Sequence, residues 1–330
     1  MKNLIGLSLI AILTLLIVNN PLTERYLSQL KADSGYIAAG QNVLYNQIVQ
    51  AAEKYSIKPQ DAKIDRVWKA IPGYNGVKVD IKASYNNMKK DKNFDENKLV
   101  FEQIPPKIHL KDLPPSPLYR GNPDKPMVSF LINVAWGNEY LPSILKTLKE
   151  NNIHATFFLE GRWVKENPEL ARMIVDSGHE VGNHSYTHPD MKTLSSERVR
   201  EQLINTNQVI KATTGKQVYL FAPPSGGYRD EVVDIAHSMN LRTIMWSVDT
   251  IDWQNPTPET IINRVIPKVH PGALILMHPT ESTSKALKTL IMEIKRKQLR
   301  IGTVSKLMDE ERIIKVNDGK INLGKDKDTE

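Results

Sequence analysis

Residues 184–189 read HSYTHP, so His184 and His188 stand four apart. That spacing lets two imidazoles reach one ion, and neutral imidazole nitrogen suits zinc or a related divalent metal. Alone the pair is a weak sign, since such histidines are more often surface or hydrogen-bonding residues than ligands; a place at a strand end before Pro189 brings the two readings level. A second cluster, WSVDTIDWQNP, holds Asp249, Asp252 and Trp253, and LILMHP adds His278. A carboxylate that grips one ring nitrogen fixes the tautomer and frees the other nitrogen for proton transfer, so Asp252 and His278 form a candidate acid pair. Each also has a plain structural reading: Asp252 can cap a turn, and His278 can satisfy backbone carbonyls. The chain has no cysteine, which excludes disulfides, thiol nucleophiles and thiolate metal sites.

These residues need elements to position them. From Met127 onward, apolar runs (MVSFLIN, ATFFL, HEVG, VYLFA, RTIMWSV, ALILM, LRIGTV) alternate with longer segments of helical spacing. Gly178 and Gly215 follow two of those helices, and Ser195 and Ser196 precede one. Seven strands alternating with helices predict an α/β fold around a parallel sheet, open or closed into a β/α barrel. Asn133, His184, His188, Pro223, Pro224, Asp249, Asp252 and His278 all fall at strand C-terminal ends. A barrel brings those ends to one face, which favours it over an open sheet. No Gly-rich phosphate loop follows the first strand, which weakens a nucleotide-binding alternative.

The remainder divides by composition. After Lys2 an uncharged run, Leu4–Val18, covers 15 residues. That is short of the roughly 20 that span a bilayer, but helix can continue through Asn19 and Asn20. No small-x-small cleavage site follows, so residues 1–25 are expected to be a signal anchor with the bulk of the chain outside. The localisation expected is a membrane-anchored extracytoplasmic domain, or a secreted one if the segment is cleaved. Residues 35–100, with GQNVLYNQIVQAAEKYSI and the alternating VKVDIKASY, predict a small α+β module. Residues 101–126 carry six prolines between Pro105 and Pro123 and predict an extended surface linker. Residues 127–310 form the main domain and 311–330 a charged tail. Net charge is +7, with 17 Lys and Arg against 11 Asp and Glu in residues 1–120 but 27 against 26 in residues 121–330. A basic membrane-proximal region could attract anionic lipid or wall polymer, while nucleic acid is not expected of an exported chain.

Taken in order, these motifs resemble the NodB-type polysaccharide deacetylases, carbohydrate esterase family 4, over roughly residues 125–305. HSYTHP matches the family's metal-binding H-S/T-x-x-H, and FAPPSGGY stands where the family has R-P-P-Y-G. DTIDW matches its Asp-Trp motif, and LILMHP its Leu-x-His motif. The resemblance implies a distorted β/α barrel with seven parallel strands. It also implies hydrolysis of N-acetyl groups on peptidoglycan or a related cell-wall polysaccharide, a divalent metal such as Zn or Co, and, by likeness to one branch, a role in sporulation. On it, His184 and His188 are metal ligands, and His278 with Asp252 is the acid pair. Pro223, Pro224 and Trp253 meet substrate, and Trp136 offers a second sugar-stacking face.

Two departures stand against that assignment. Where the family has T-F-D-D the chain has L-I-N-V, so Asn133 takes the general-base position and Val134 the third-ligand position. Asn is neutral and cannot take a proton from water, and Val has no donor atom. Ala222 replaces the family arginine that pairs with the base, and Ser225 replaces the tyrosine. An arginine left facing Asn133 would be an unpaired, partly buried cation, typically costing a few kcal/mol, so the two losses read as one coordinated change. Glu139 is a weak candidate for a substitute ligand. Two expectations follow. One is a metal-assisted N-deacetylase with weak or altered activity, and the other a non-catalytic glycan-binding or scaffold protein of the envelope.

Overall fold

The computed structural model describes residues 43–317 and 320–322, with Glu24, Arg25 and Ser28. The expected anchor at 1–25 and the end of the expected tail lie outside the described residues, apart from Glu24 and Arg25. Among the described residues, no helix is long and apolar enough to cross a membrane. The chain forms two compact units, one carrying residues 43–57 and 78–102, the other 58–77 and 103–315.

In the smaller unit, the helix over 43–54 buries Leu44, Ile48 and Ala51, and Tyr55 meets Phe101 edge-on with ring centroids 5.9 Å apart. The alternating VKVDIKASY was expected to be one strand, but the strand ends at Val79. A helix, Ile81–Met88, takes over because the Asp80 side chain accepts from the Ala83 N–H at 2.9 Å. A capping carboxylate at the point where the pattern is ambiguous decides for helix.

The larger unit is built on one parallel sheet. Its strands are β1 (Met127–Val134), β2 (Thr156–Leu159), β3 (Glu180–Asn183), β4 (Leu220–Phe221), β5 (Arg242–Thr243), β6 (Val248–Asp249), β7 (Leu274–Met277) and β8 (Arg300–Gly302). They are ordered β6-β7-β1-β2-β3-β4-β5, with β8 beside the first half of β1. All eight residues of β1 are buried, as a central parallel strand covered on both faces requires. Its side chains alternate. Phe130, Ile132 and Val134 join the apolar layer that includes Ile144 and Leu148 of the helix Leu141–Glu150. Leu131 joins a second core with Phe158, Leu220, Ile244 and Leu274. Ser195 caps the helix Ser196–Thr214, which ends at Gly215 in the left-handed region, as the sequence led one to expect.

RTIMWSV, expected as one strand, is two, and the reason explains the shape of the sheet. Ile244 N–H donates to Phe221 O in β4, whereas Ser247 N–H, three residues on, donates to Leu274 O in β7. Those partners lie toward opposite ends of the strand order, so the sheet must curl until its edges nearly meet. The result is an incompletely closed half-barrel. The Pro-rich stretch helps fill the gap instead of running free. Leu118 is fully buried; its N–H donates to Thr243 O and its carbonyl accepts from Met245 N–H. Gly121 N–H donates to Gly272 O just before β7. Proline fixes extended backbone, but Leu118 between the prolines keeps both hydrogen-bonding groups and an apolar side chain to bury. Residues of the expected small module also belong to this unit: Ala70, in the hairpin of Lys63–Asp65 with Lys69–Ile71, is buried in the second core and donates to Pro117 O.

Candidate active site

The curl brings strand ends from across the sheet to one pocket of about 430 Å³, walled by Asn133, His184, His188, Asp249, Trp253 and His278, with Ala135, Trp136, Ser225, Trp246 and Leu276. Several of the loops that build it take left-handed backbone at non-glycine residues: Ser185 (φ 62°), His188 (φ 55°), Ser225 (φ 52°) and Ile251 (φ 51°). For β-branched Ile251 this is a strained conformation, held by its N–H donating to Asp249 Oδ1 at 2.8 Å. Strain gathered at one set of loops is a feature of functional sites.

His184 is 1% exposed. Its Nδ1–H donates to Ala222 O at 2.8 Å, a tautomer assigned from that partner, which leaves Nε2 as a free acceptor. Burial first, and the neighbouring His188 second, depress its pKa to about 3. His188 packs edge-on at a centroid distance of 5.0 Å, and burial lowers its pKa as well. Both rings are therefore neutral in neutral water and carry lone pairs that a cation could use.

A complete metal site does not follow. Val134, at the position where the third ligand was sought, is fully buried in the apolar layer and is not on the pocket wall. Among the described residues no group of three His, Cys, Asp or Glu is placed to hold an ion. Asp249 shares the pocket, but its Oδ1 is taken by the Ile251 N–H. Glu139 is exposed, in the turn before the helix Leu141–Glu150, and stands off the pocket wall. Among the described residues the two imidazoles have no third ligand-type side chain grouped with them, so they do not fit a tightly held catalytic metal.

The acid pair is intact. Asp252 is fully buried and accepts from His278 N–H at 2.6 Å, His278 Nδ1–H at 2.8 Å and the Thr283 hydroxyl. The contact fixes His278 with Nε2 toward the pocket. Trp136 lies flat on the same imidazole, with centroids 5.9 Å apart and planes at 7°. Chemically, His278 can pass a proton to or from a bound group, but no neighbouring carboxylate stands where Asn133 is to activate water.

Pro223 and Pro224, expected at the substrate, are buried behind the wall, and the turn Pro224–Gly226 presents Ser225 to the pocket instead. Pro224 opens that tight turn, which its fixed φ suits. Asn133, His184, His188, Asp249, Asp252, Trp253 and His278 are brought together as the sequence suggested. Thr283, Trp246 and Leu276 were missed. Thr283 was within reach of sequence reading, since the run TEST from Thr280 to Thr283 after the proline is a helix start, and Thr280 does cap Glu281–Arg296.

Comparison with known proteins agrees with this geometry. The polysaccharide deacetylase family model matches residues 120–244. The uncharacterised protein YlxY of Bacillus subtilis is 51% identical over 298 residues, covering 90% of this chain and 93% of that protein. The peptidoglycan-N-acetylmuramic acid deacetylase PdaA of Bacillus subtilis is 30% identical, covering 58% of this chain and 75% of its own. Among solved structures, a carbohydrate esterase family 4 pseudoenzyme from Bacillus anthracis is 57% identical with a TM-score of 0.78, over 82% of this chain and 96% of that one. A mutant of that pseudoenzyme, described as having restored enzymatic activity, aligns equally well, with a TM-score of 0.78. The curled sheet, the paired imidazoles, the Asp–His acid pair and these likenesses lead to one conclusion: the chain belongs to the polysaccharide deacetylase family, carbohydrate esterase family 4.

Proposed function

We propose that the chain recognises N-acetylated cell-envelope glycan in the strand-end pocket and hydrolyses it weakly or not at all. The observation that carries this reading is the wall itself: neutral Asn133 faces the pocket, while Val134 is buried in the apolar layer. General-base catalysis needs a group that can accept a proton from water near neutral pH, and an amide cannot. Two relatives support the reading, since one acts on peptidoglycan N-acetylmuramic acid by its name and another is described as a pseudoenzyme.

The pocket keeps what binding needs. Trp136 and Trp253 are 46% and 54% exposed, and both stand on the wall, where flat aromatic faces can stack on pyranose rings. His184, His278 and Asn133 offer polar atoms to hydroxyl and acetamido groups. A second reading, a slow deacetylase, is favoured by the intact Asp252–His278–Thr283 network, which could protonate a leaving amine. The restored mutant of the Bacillus anthracis relative supports reading the lost chemistry as local to a few residues. On either reading the bound divalent metal is weak. We further propose that the domain works outside the cytoplasmic membrane, tethered by the run Leu4–Val18, and in sporulation; the support is that apolar run and the motif likeness.

The test is a titration of the full chain with N-acetylglucosamine oligomers, read by tryptophan fluorescence. Saturable binding that weakens in Trp253→Ala without a change in melting temperature is expected. No binding to these oligomers or to peptidoglycan fragments would remove the proposal.

A further inference from the structure

A second cavity, of about 420 Å³, opens at the starts of β4 and β5, the opposite ends of those strands from the active site. Its wall takes Lys111 and Ser116 from the Pro-rich stretch and His237 from the helix Asp230–Ser238. Arg242 and Thr243 of β5 and Ser305 of the helix Val304–Met308 complete its polar side. Each of these side chains can donate a hydrogen bond, and among the described residues no Asp or Glu lines the cavity.

Arg242 is half-buried, and one of its N–H donors goes to Leu110 O at 3.3 Å. Among the described residues no carboxylate pairs with it, and burial holds its pKa below the usual arginine value with nothing to counter the effect. Nearby carboxylates are committed elsewhere. Asp112 Oδ2 accepts from His109 N–H, and Glu180 Oε2 accepts from the Thr156 hydroxyl and Ser305 N–H. Asp234, one turn before His237, is exposed and off the wall. Thr243 is 2% exposed, and its hydroxyl is buried without a partner. A partly buried guanidinium without a counter-charge is costly, and an anion in the cavity removes that cost.

We propose that this cavity binds a phosphate ester. The donors come from four chain segments, more directions than the two oxygens of a planar carboxylate meet, whereas a tetrahedral phosphate presents oxygens on all sides. The Arg242 fork suits two of those oxygens, Lys111 adds a point charge, and the Thr243 hydroxyl gains an acceptor. Leu220, Val233 and Met308 give the same cavity an apolar side, which suits the carbon joined through the ester oxygen better than a bare ion. The site stands apart from the strand-end pocket and does not depend on the glycan-binding reading. A small sugar or glycerol phosphate, a phosphodiester wall polymer and a phospholipid headgroup all carry this group.

The experiment titrates the full chain, in nonionic detergent, with inorganic phosphate, glycerol 3-phosphate, poly(glycerol phosphate) and phosphatidylglycerol in mixed micelles, read by calorimetry. At least one ester should bind saturably and more tightly per phosphate than inorganic phosphate, and the tightest of the three identifies the source. Arg242→Gln should weaken that binding by about tenfold while leaving affinity for N-acetylglucosamine oligomers unchanged. Lys111→Ser, at an exposed position, should weaken it several-fold without a change in melting temperature, and it carries the test should Arg242→Gln unfold. The proposal is overturned if no ester binds saturably, if inorganic phosphate binds as tightly as every ester, or if folded variants keep the wild-type affinity.

Discussion

Replacing Asp252 by Ala should destabilise the barrel even though no chemistry is required of it. Asp252 is fully buried and accepts three hydrogen bonds, two from His278 and one from Thr283. The His278 side chain is 17% exposed, so water can replace one partner at Nδ1. The His278 backbone N–H and the Thr283 hydroxyl, which is itself buried, are left to re-pair or go unmet. An unmet buried donor costs about 1–3 kcal/mol, which gives roughly 2–6 kcal/mol if both go unmet and less if one re-pairs. Against a typical total of about 5–15 kcal/mol this is a large loss. The assay is urea denaturation followed by tryptophan fluorescence, a suitable probe because Trp253 adjoins Asp252 and Trp136 stacks on His278. Asp252→Asn, which keeps one acceptor but turns an NH2 toward a donor, should lie between. Asp249→Ala, which loses a single bond to Ile251 N–H, is the control. If Asp252→Ala falls within about 0.5 kcal/mol of wild type, or no lower than the control, the network is not the structural tie described here.

Three further outcomes are expected. Zinc titrated into the full chain by calorimetry should show no sub-micromolar site, and His184→Ala should abolish whatever weak binding remains; tight binding would mean that a third donor reaches the pair. Stability should fall on acidification from about pH 6.5 toward 4, because burial lowers the His179 pKa to about 4 while the unfolded chain takes up the proton nearer 6.5. The native state binds fewer protons in that window, so stability is present above it and is lost as pH falls; His179→Gln should flatten the slope by up to ~3 kcal/mol, measured by urea melts across pH. Trp136→Ala should lower affinity for N-acetylglucosamine oligomers several-fold with little change in melting temperature, since that ring is 46% exposed; an unaltered affinity would exclude it as a sugar platform.

The site was more legible than the fold that frames it. HSYTHP, DTIDW and LILMHP each lie at a strand end, where a curled parallel sheet must deliver them together, so His184, His188, Asp252 and His278 could be grouped before any coordinates. What escaped depended on long-range partners. Leu118 looks like linker because prolines surround it, and only its bonds to Thr243 and Met245 reveal it as part of the wall. RTIMWSV has the apolar density of one strand, yet Ile244 and Ser247 bond toward opposite ends of the sheet, a division no local pattern encodes. Asp80 could have been read as a cap, but the alternation around it was equally good for a strand. Pro223 and Pro224 were read for their family position; both are buried, and the turn Pro224–Gly226 points Ser225 at the pocket.

The most direct test is acetate release from N-acetylglucosamine oligomers and peptidoglycan by the full chain with zinc in excess, beside His278→Ala. The account predicts at most slow release, close to the His278→Ala background, at oligomer concentrations that saturate binding. Rapid multiple-turnover release that disappears in His278→Ala would contradict it, because some group other than Asn133 would then be activating water efficiently.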